Sequence, residues 1–242
     1  MIGILLPVEY VGYYRSAYNI VGAIAGFVSI PAVLFPVFVQ LEGKDLKRAF
    51  DRAFKYSAII SFPVVFGLMA LSKELIKLVY GVEYLKAVPV LTVLSLLILR
   101  SSLGFWGVIF NAKEKPEYPV YVTFIAMIMN IVLNYFLILK WGIVGASIAT
   151  IISNVFSWLS LAILSKRMFG IFFKVDHLVK PLSAGFVIFI ILRILKFEDL
   201  LIEIIYVSIC IGIYFLLLFA LGEITLDDFE YLKNIFFSRE EN

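Results

Sequence analysis

The sequence predicts an all-α membrane protein, a polytopic bundle of about seven transmembrane helices. Of its 242 residues, 62% are hydrophobic and 16% are charged, and the mean hydropathy is +1.01. Soluble domains are about 45–50% apolar and about 25% charged. The apolar residues fall in runs of about 20, the length of one membrane-spanning helix. No run alternates with period two over a length that would indicate a membrane β-strand.

Seven apolar segments are long enough to be assigned as spans. They run from about Tyr18 to Val39, Ala53 to Leu71, Ala87 to Ala112, Tyr118 to Leu139, Ile143 to Leu164, Leu178 to Leu195 and Leu200 to Leu221. Between the second and third spans, residues 73–80 are too polar to cross the bilayer but have an apolar face. This pattern predicts an interfacial helix on the outer side that ends at Gly81.

The composition of the helix faces divides the chain. The first five spans have faces of small and polar residues, the kind that pack membrane helices together. The sixth and seventh spans are mostly Ile, Leu, Phe and Val. We therefore expect a five-helix bundle over residues 1–167, two peripheral spans over 168–221 and a cytoplasmic tail over 222–242.

Lys and Arg are unevenly distributed between the loops. The loops after the first, third and fifth spans, together with the C-terminal tail, hold more of them than the opposite loops. Because cytoplasmic loops carry such an excess, the N-terminus is expected outside and the C-terminus in the cytoplasm. The opening residues lack the basic leader of a secretory signal, so an outside N-terminus predicts further helices upstream.

The third span carries one charge, Arg100, near its middle. A cation at the centre of a membrane helix costs about 2.5–3.5 kcal/mol on insertion scales, and the first five spans contain no Asp or Glu. The helical face from Arg100 through Gly104 and Gly107 to Asn111 is small and polar. We expect this face to line a cavity in which Arg100 attracts an anion such as a diphosphate. Bonds to backbone carbonyls, or to a partner outside this sequence, are the alternatives.

Further polar and proline residues are candidates for the same route. Asn130 and Asn134 share one face of the fourth span, where their amides suit either a neighbouring helix or a sugar hydroxyl. The small and polar stripe of the fifth span is interpreted as a packing seam. Pro31, Pro36 and Pro63 fall within the first two spans, where proline removes a backbone donor and bends a helix. Such bends serve gating in transporters and also occur in static helices.

Composition excludes several other functions. Cys210 is the only cysteine and His177 the only histidine, so we expect no internal disulfide and no metal site built from thiolates or imidazoles. A net charge of +3 is too small to indicate a nucleic-acid partner. We expect no cofactor, no catalytic residue and no enzyme activity.

The sequence resembles polysaccharide and oligosaccharide flippases in four stretches. They are VGYYRSAYNIVG at 11–22, ELIKLVYGVEYLKAVPVLTVLSL at 74–96, FNAKEKPE at 110–117 and NIVLNYFLILKWGIVGASIATIIS at 130–153. The last stretch, in which Leu-Asn-Tyr precedes Gly-x-x-Gly-Ala-x-x-Ala-Thr, is the most specific. These flippases form one superfamily with the lipid II flippases and the multidrug and toxic compound extrusion transporters. The resemblance covers about residues 11–167.

This resemblance implies a chain equivalent to the second lobe, plus two extra helices, of a 14-helix protein whose lobes surround a central cavity. The N-terminal lobe is then a missing partner, and the chain is a fragment. The implied function is to flip a polyprenyl-diphosphate-linked oligosaccharide across the cell membrane for surface polysaccharide biosynthesis, among membrane lipids. Arg100 is implied to face the diphosphate. The residues implied to meet the sugars are Tyr14, Tyr18, Asn111, Asn130 and Asn134.

Three other functions compete with flipping. A cation-coupled drug exporter of the related branch needs intramembrane carboxylates to bind Na⁺ or H⁺, and the first five spans have none. A membrane-embedded glycosyltransferase needs loop carboxylates for a metal or a base, whereas the acids here are scattered singly among lysines. The third alternative is an inert fragment or a scaffold.

Overall fold

A computed structural model of the chain describes residues 1–28, 34–195, 200–225 and 228. Within them the regular secondary structure is helical, without a strand, so the predicted all-α class is confirmed. The helices are α1 (Ile2–Leu5), α2 (Glu9–Val28), α3 (Phe35–Gln40), α4 (Gly43–Ala70), α5 (Ser72–Tyr80), α6 (Val88–Leu94), α7 (Leu97–Leu103), α8 (Phe105–Ala112), α9 (Glu117–Phe169), α10 (Asp176–Ile194) and α11 (Leu200–Ala220).

Five helical stretches in the described part of the chain are long and apolar enough to cross a membrane. They are Gly43–Ala70, Val82–Ala112, Glu117–Phe169, Asp176–Ile194 and Ile202–Ala220. The third has 53 residues, which is about 80 Å at 1.5 Å per residue and more than twice the bilayer core of about 30 Å. Trp141 and Gly142 interrupt it with non-helical dihedral angles. α9 is therefore two spans joined by a corner, at the place where the fourth span was predicted to end and the fifth to begin.

Glycine makes this corner possible. Gly142 has φ 58°, in the left-handed region that side chains other than glycine rarely adopt. A Cβ on Gly145 would lie 1.9 Å from the carbonyl oxygen of Leu137, so the two halves of α9 approach closely only because that position has no side chain.

The first predicted span differs most from its prediction. α2 begins at Glu9, well before Tyr18, and α3 is a separate short helix. Pro36 lies in the first turn of α3, where a proline has no helical hydrogen bond to remove. Pro36 therefore does not bend the interior of α3, and the gating role assigned to it stays a prediction. Pro31 lies outside the described residues.

Pro63 lies inside α4, and a residue of α11 replaces the backbone N–H donor that this proline lacks. Because proline has no N–H, the carbonyl of Ile59, four residues earlier, loses its helical partner. The hydroxyl of Tyr214 donates a hydrogen bond of 2.9 Å to that carbonyl oxygen, and the Tyr214 side chain is fully buried. The gating role assigned to Pro63 stays a prediction.

Helix α5 follows α4 directly and ends where Gly81 adopts φ 87°. A 3₁₀ turn over Val82–Ala87 then leads into α6. The interfacial depth expected for residues 73–80 stays a prediction.

Three buried clusters hold the helices together. The first is aromatic and joins α4 to α8 and α9; in it, the ring centroids of Phe50 and Trp106 are 4.7 Å apart. The second joins α2 to α6 and α7. The third joins α4 to α10 and α11. Van der Waals packing of this kind supplies much of the association energy of membrane helices, because lipid tails are as apolar as the side chains and there is no hydrophobic driving force between the helices.

A cluster of charged side chains joins α4, the start of α10 and Glu223, which lies three residues after the end of α11. His177 Nδ1 lies 2.5 Å from Glu223 Oε1, and His177 Nε2 lies 3.4 Å from Asp51 Oδ1. Lys174 pairs with Asp51, and Lys180 Nζ lies 3.5 Å from Glu223 Oε2. Glu223 is 2% exposed, and a carboxylate this buried requires such partners. The cluster therefore fixes the last two helices to α4.

Asp228 makes a second tie to α4. Its carboxylate accepts hydrogen bonds from Lys55 Nζ at 2.7 Å and from the Tyr56 hydroxyl at 2.8 Å. Burial alone would raise the pKa of Asp228, but these bonds and those from Thr225 outweigh burial and lower the pKa to about 2. Asp228 is therefore ionised at neutral pH and holds the start of the tail against α4.

Candidate functional site

Arg100 lies on a helical segment that is interrupted on both sides. Before it, the backbone between α6 and α7 tightens into an i→i+3 hydrogen bond from the Ile98 N–H to the Ser95 carbonyl oxygen at 3.1 Å. After it, α7 ends at Leu103, and Gly104, with ψ 36°, separates α7 from α8. Irregular backbone at membrane depth is tolerated where it is buried in protein or lines a cavity.

Three cavities adjoin Arg100, and we name them by their linings. The apolar cavity, about 290 Å³, is lined by Phe62, Leu96, Leu97, Leu99, Arg100, Leu103, Ile151, Asn154, Val155, Trp158, Leu159, Leu178 and Leu182. The polar cavity, about 230 Å³, is lined by Arg100, Thr123, Ala126, Met127, Asn130, Thr150, Ser153, Asn154 and Ser157. The indole cavity, about 340 Å³, is lined by Arg100, Ser101, Gly104, Trp106, Gly107, Pro119, Thr123, Asn154, Ser157, Trp158 and Leu161. Arg100 and Asn154 are common to all three.

The guanidinium of Arg100 has no counter-ion in the part of the chain that the structure describes. Its side chain is exposed to the cavities, and the described residues give it neither a hydrogen bond nor an ion pair. No Asp or Glu lines any of the three cavities. A guanidinium has five N–H donors in a planar fork that matches carboxylate and phosphate oxygens. An anion with such oxygens is therefore the ligand that the chemistry of this guanidinium matches, and the role of Arg100 in binding one stays a prediction.

The polar cavity lies between the two halves of α9. Thr123 and Asn130 come from residues 117–140, and Ser153 and Asn154 come from residues 143–169. Ser153 donates its hydroxyl to its own helix, and Asn154 Nδ2 donates to the Thr150 carbonyl oxygen at 2.7 Å. The Ser153 hydroxyl proton and one N–H of Asn154 are therefore used, whereas the oxygen lone pairs of both side chains and the second N–H of Asn154 remain for a hydroxyl-bearing ligand.

The structure brings together only some of the residues that the sequence proposed as a site. Asn130 lines the polar cavity with Arg100. Tyr14 does not line that cavity but contacts one of its lining residues, with its hydroxyl oxygen 3.4 Å from Thr150 Oγ1. The ring of Tyr18 stacks on Tyr14 at 6.5 Å and is 52% exposed.

Two predicted residues lie away from the three cavities. Asn134 Nδ2 donates to the Asn130 carbonyl and Oδ1 oxygens, both at 2.9 Å, so Asn134 supports Asn130. Asn111 is exposed near the end of α8. Gly104 and Gly107 do line the indole cavity beside Arg100, so the small-residue face reaches the cavities and Asn111 does not. Neither Asn111 nor Asn134 is thus brought to the cleft around Arg100.

The sequence reasoning missed the residues that line this site from the second half of α9. They are Thr150, Ser153, Asn154, Ser157 and Trp158, together with Thr123 from the first half. Their spacing of three and four residues puts them on one helical face, but a packing seam has the same spacing. The corner at Gly142 supplies the missing information, because it brings this face opposite Asn130.

The fold and the cleft define a class of protein, a multi-pass helical membrane protein with a cationic cleft in which the described lining residues include no carboxylate. A family profile described as "Polysaccharide biosynthesis protein" matches residues 1–89. A probable low-salt glycan biosynthesis flippase of Haloferax volcanii is 30% identical over 159 residues, which are 63% of this chain and 34% of that protein. The teichuronic acid biosynthesis protein TuaB of Bacillus subtilis is 32% identical over 126 residues, 50% of this chain and 26% of that protein.

Two further comparisons agree. The lipopolysaccharide biosynthesis protein WzxC of Escherichia coli is 27% identical over 168 residues, 56% of this chain and 34% of that protein. The lipid II flippase MurJ, in an inward closed conformation, shares the fold with a TM-score of 0.73 at 18% identity, over 85% of this chain and 46% of that chain. The resemblance to polysaccharide flippases is therefore confirmed. The chain spans about a third of the length of the curated relatives that it matches.

Proposed function

We propose that the chain is one lobe of a flippase that moves a polyprenyl-diphosphate-linked oligosaccharide across the cell membrane for surface polysaccharide biosynthesis. The observation that carries this proposal is Arg100, a cation without a described counter-ion where three cavities adjoin. Similar proteins are named as flippases or as proteins of glycan biosynthesis. A second lobe is the partner that completes the central cavity.

The chemistry of the three cavities supports this substrate class. The diphosphate supplies the negatively charged partner that Arg100 does not have among the described residues. Hydroxyl groups of a saccharide match the oxygen acceptors of the polar cavity. The leucine-rich apolar cavity matches the hydrocarbon of a polyprenol. A cation-coupled exporter would need carboxylates to bind its ion, and none lines the cavities around Arg100.

The proposed orientation puts the N-terminus outside and the C-terminus in the cytoplasm. It rests on the excess of Lys and Arg in the loops and tail that this orientation places inside. In this orientation the Gly142 corner faces outward, and the charged cluster around His177 faces the cytoplasm.

The experiment measures binding of farnesyl diphosphate, a short polyprenyl diphosphate, to the purified chain in detergent. Arg100→Ala should weaken binding about 10–100-fold, since a hydrogen bond to a charged group is worth about 1.5–3 kcal/mol. Arg100→Lys should retain part of the affinity, because it keeps the charge and loses the planar fork.

Two controls isolate the charge at this site. Farnesol, which lacks the diphosphate, should bind equally to the native chain and to Arg100→Ala. Lys140→Ala removes an exposed cation beside the Gly142 corner and should leave farnesyl diphosphate binding unchanged. If Arg100→Ala binds farnesyl diphosphate as tightly as the native chain, the proposed function is wrong.

A further inference from the structure

The segment that carries Arg100 cannot hold its own position. α7 has seven residues between the tightened turn at Ser95 and the break at Gly104, and isolated helices shorter than about 12–15 residues are marginal. A flexible seven-residue segment would spread the guanidinium over many positions and so weaken the binding of any anion. Contacts from other helices must therefore fix α7.

We propose that Trp158 is a positioning residue, whose indole N–H holds the end of α7 and so fixes where Arg100 meets its anion. Trp158 Nε1 donates a hydrogen bond of 3.0 Å to the carbonyl oxygen of Leu103, the last residue of α7. This hydrogen bond joins the second half of α9 to the break itself. The proposal rests on the proposed function for the identity of the anion, but the position of α7 is measurable without it.

The indole of Trp158 is itself well anchored. Its ring centroid lies 5.2 Å from that of Phe173, 6.0 Å from that of Trp106 and 6.4 Å from that of Phe54. These rings come from three other parts of the chain, so the indole is a fixed point to which α7 is attached. Trp158 also lines the apolar and indole cavities on either side of Arg100.

Gly104 shows how closely the backbone approaches at this break. A Cβ on Gly104 would lie 2.4 Å from the carbonyl oxygen of Arg100, well inside the van der Waals distance. Any side chain at this position would therefore collide with the last turn of α7, which also contains the Leu103 carbonyl that Trp158 holds. The sequence places a glycine at the break and an indole donor opposite it.

Trp106 provides a matched control in the same aromatic cluster. Its side chain is 1% exposed, and its Nε1 has no hydrogen-bond partner among the described residues. Removal of the Trp106 N–H therefore removes no described contact, whereas removal of the Trp158 N–H frees the end of α7. The two substitutions are alike in size and surroundings.

The first measurement uses a nitroxide attached at Arg100→Cys in a Cys210→Ala background, with the purified chain in detergent. Trp158→Phe should increase the mobile component of the nitroxide spectrum, and Trp106→Phe should leave it unchanged. If Trp158→Phe and Trp106→Phe give the same spectrum, the inference is wrong. This readout contains no ligand, so it does not depend on the proposed function.

The second measurement is the affinity for farnesyl diphosphate with Arg100 in place. Trp158→Phe should weaken it about fivefold, the equilibrium equivalent of one net hydrogen bond. Trp141→Phe, at the exposed corner of α9 and outside the three cavities, should not change it. An unchanged affinity in Trp158→Phe would contradict the inference, provided that Arg100→Ala does weaken binding. If Arg100→Ala has no effect, the proposed function fails and the nitroxide spectra alone decide the role of Trp158.

A size-matched analogue covers the case in which Trp158→Phe does not fold. Replacement of the Trp158 indole by benzothiophene keeps both rings and substitutes sulfur for the N–H. The same increase in nitroxide mobility is expected, with the equivalent replacement at Trp106 as the control. An unchanged nitroxide spectrum would overturn the inference.

Discussion

Asparagines in the two halves of α9 show how two similar side chains acquire different roles. Asn134 and Asn154 each donate to a carbonyl four residues earlier in their own helix. Asn134 gives its second hydrogen bond to Asn130 Oδ1. Asn154 lines all three cavities around Arg100. Of Asn134 and Asn154, therefore, Asn154 is the one whose amide lies at the cleft.

Substitution of Asn154 should weaken the binding of a saccharide more than that of a diphosphate. With a farnesyl-diphosphate-linked disaccharide as ligand, Asn154→Ala should weaken binding about fivefold, because one net hydrogen bond is lost. Binding of farnesyl diphosphate alone should change little. Titration of both ligands measures this difference, and Asn111→Ala is the control that should bind both normally, because Asn111 is exposed and lines none of the three cavities. Equal losses in Asn154→Ala and Asn111→Ala would contradict the assignment.

Arg100 could be singled out from the sequence, whereas Asn154 could not. A charge in an apolar span raises the free energy of membrane insertion, and this cost can be recognised from the sequence alone. The described part of the structure provides no partner for the charge. The polar stripe of the fifth span has no such cost, because hydroxyl and amide groups bond their own helix. A packing seam and a ligand-binding wall are then identical in sequence.

Within individual helices, the breaks are what the sequence predicted least well. Residues 87–112 read as one span, because each residue tolerates a helix, yet the structure divides the stretch into α6, α7 and α8. The donors at such breaks lie far away in sequence: Trp158 is 55 residues from Leu103, and Tyr214 is 155 residues from Ile59. Local propensity carries no information about partners at that distance.

The Tyr214 hydrogen bond should stabilise the protein only because Pro63 leaves a carbonyl free. Tyr214→Phe leaves the buried Ile59 carbonyl unsatisfied and should cost about 1–3 kcal/mol of stability. In a Pro63→Ala background the backbone N–H of residue 63 can bond that carbonyl, so Tyr214→Phe should cost less. A double-mutant cycle on the free energy of unfolding in detergent should give a coupling of about 1 kcal/mol. Additive effects would show that Tyr214 and Pro63 are independent.

At the scale of the whole molecule, the all-helical membrane class followed from hydrophobicity, but the way in which the helices assemble did not. The charged cluster that ties α10 and the end of α11 to α4 uses Asp51, His177 and Glu223. These residues are scattered singly along the sequence. The sequence described the last two spans as peripheral because they are uniformly apolar, and uniform apolarity does not show which face packs against α4.

The structure separates two exposed lysines by the length of a span. Lys47 Nζ lies 2.9 Å from the place where a Cβ on Gly170 would be, at the end of α9. Lys140 stands at the Gly142 corner, with its ammonium 4.8 Å from the centroid of the Trp141 ring. The helix between the corner and Gly170, residues 143–169, is about 40 Å long. This length exceeds a bilayer core of about 30 Å, so we expect the two lysines on opposite sides of the membrane.

Cysteine labelling at these two positions should test the proposed orientation. With an impermeant thiol reagent outside intact cells, Lys140→Cys should be labelled and Lys47→Cys should be protected until the cells are opened. The native Cys210 is buried, so it should contribute little background. The excess of Lys and Arg around Lys47 is the reason for this expectation. The reverse labelling pattern would show that the orientation is inverted, with the C-terminal tail outside. Labelling of both residues from outside would contradict the expectation that a bilayer lies between them.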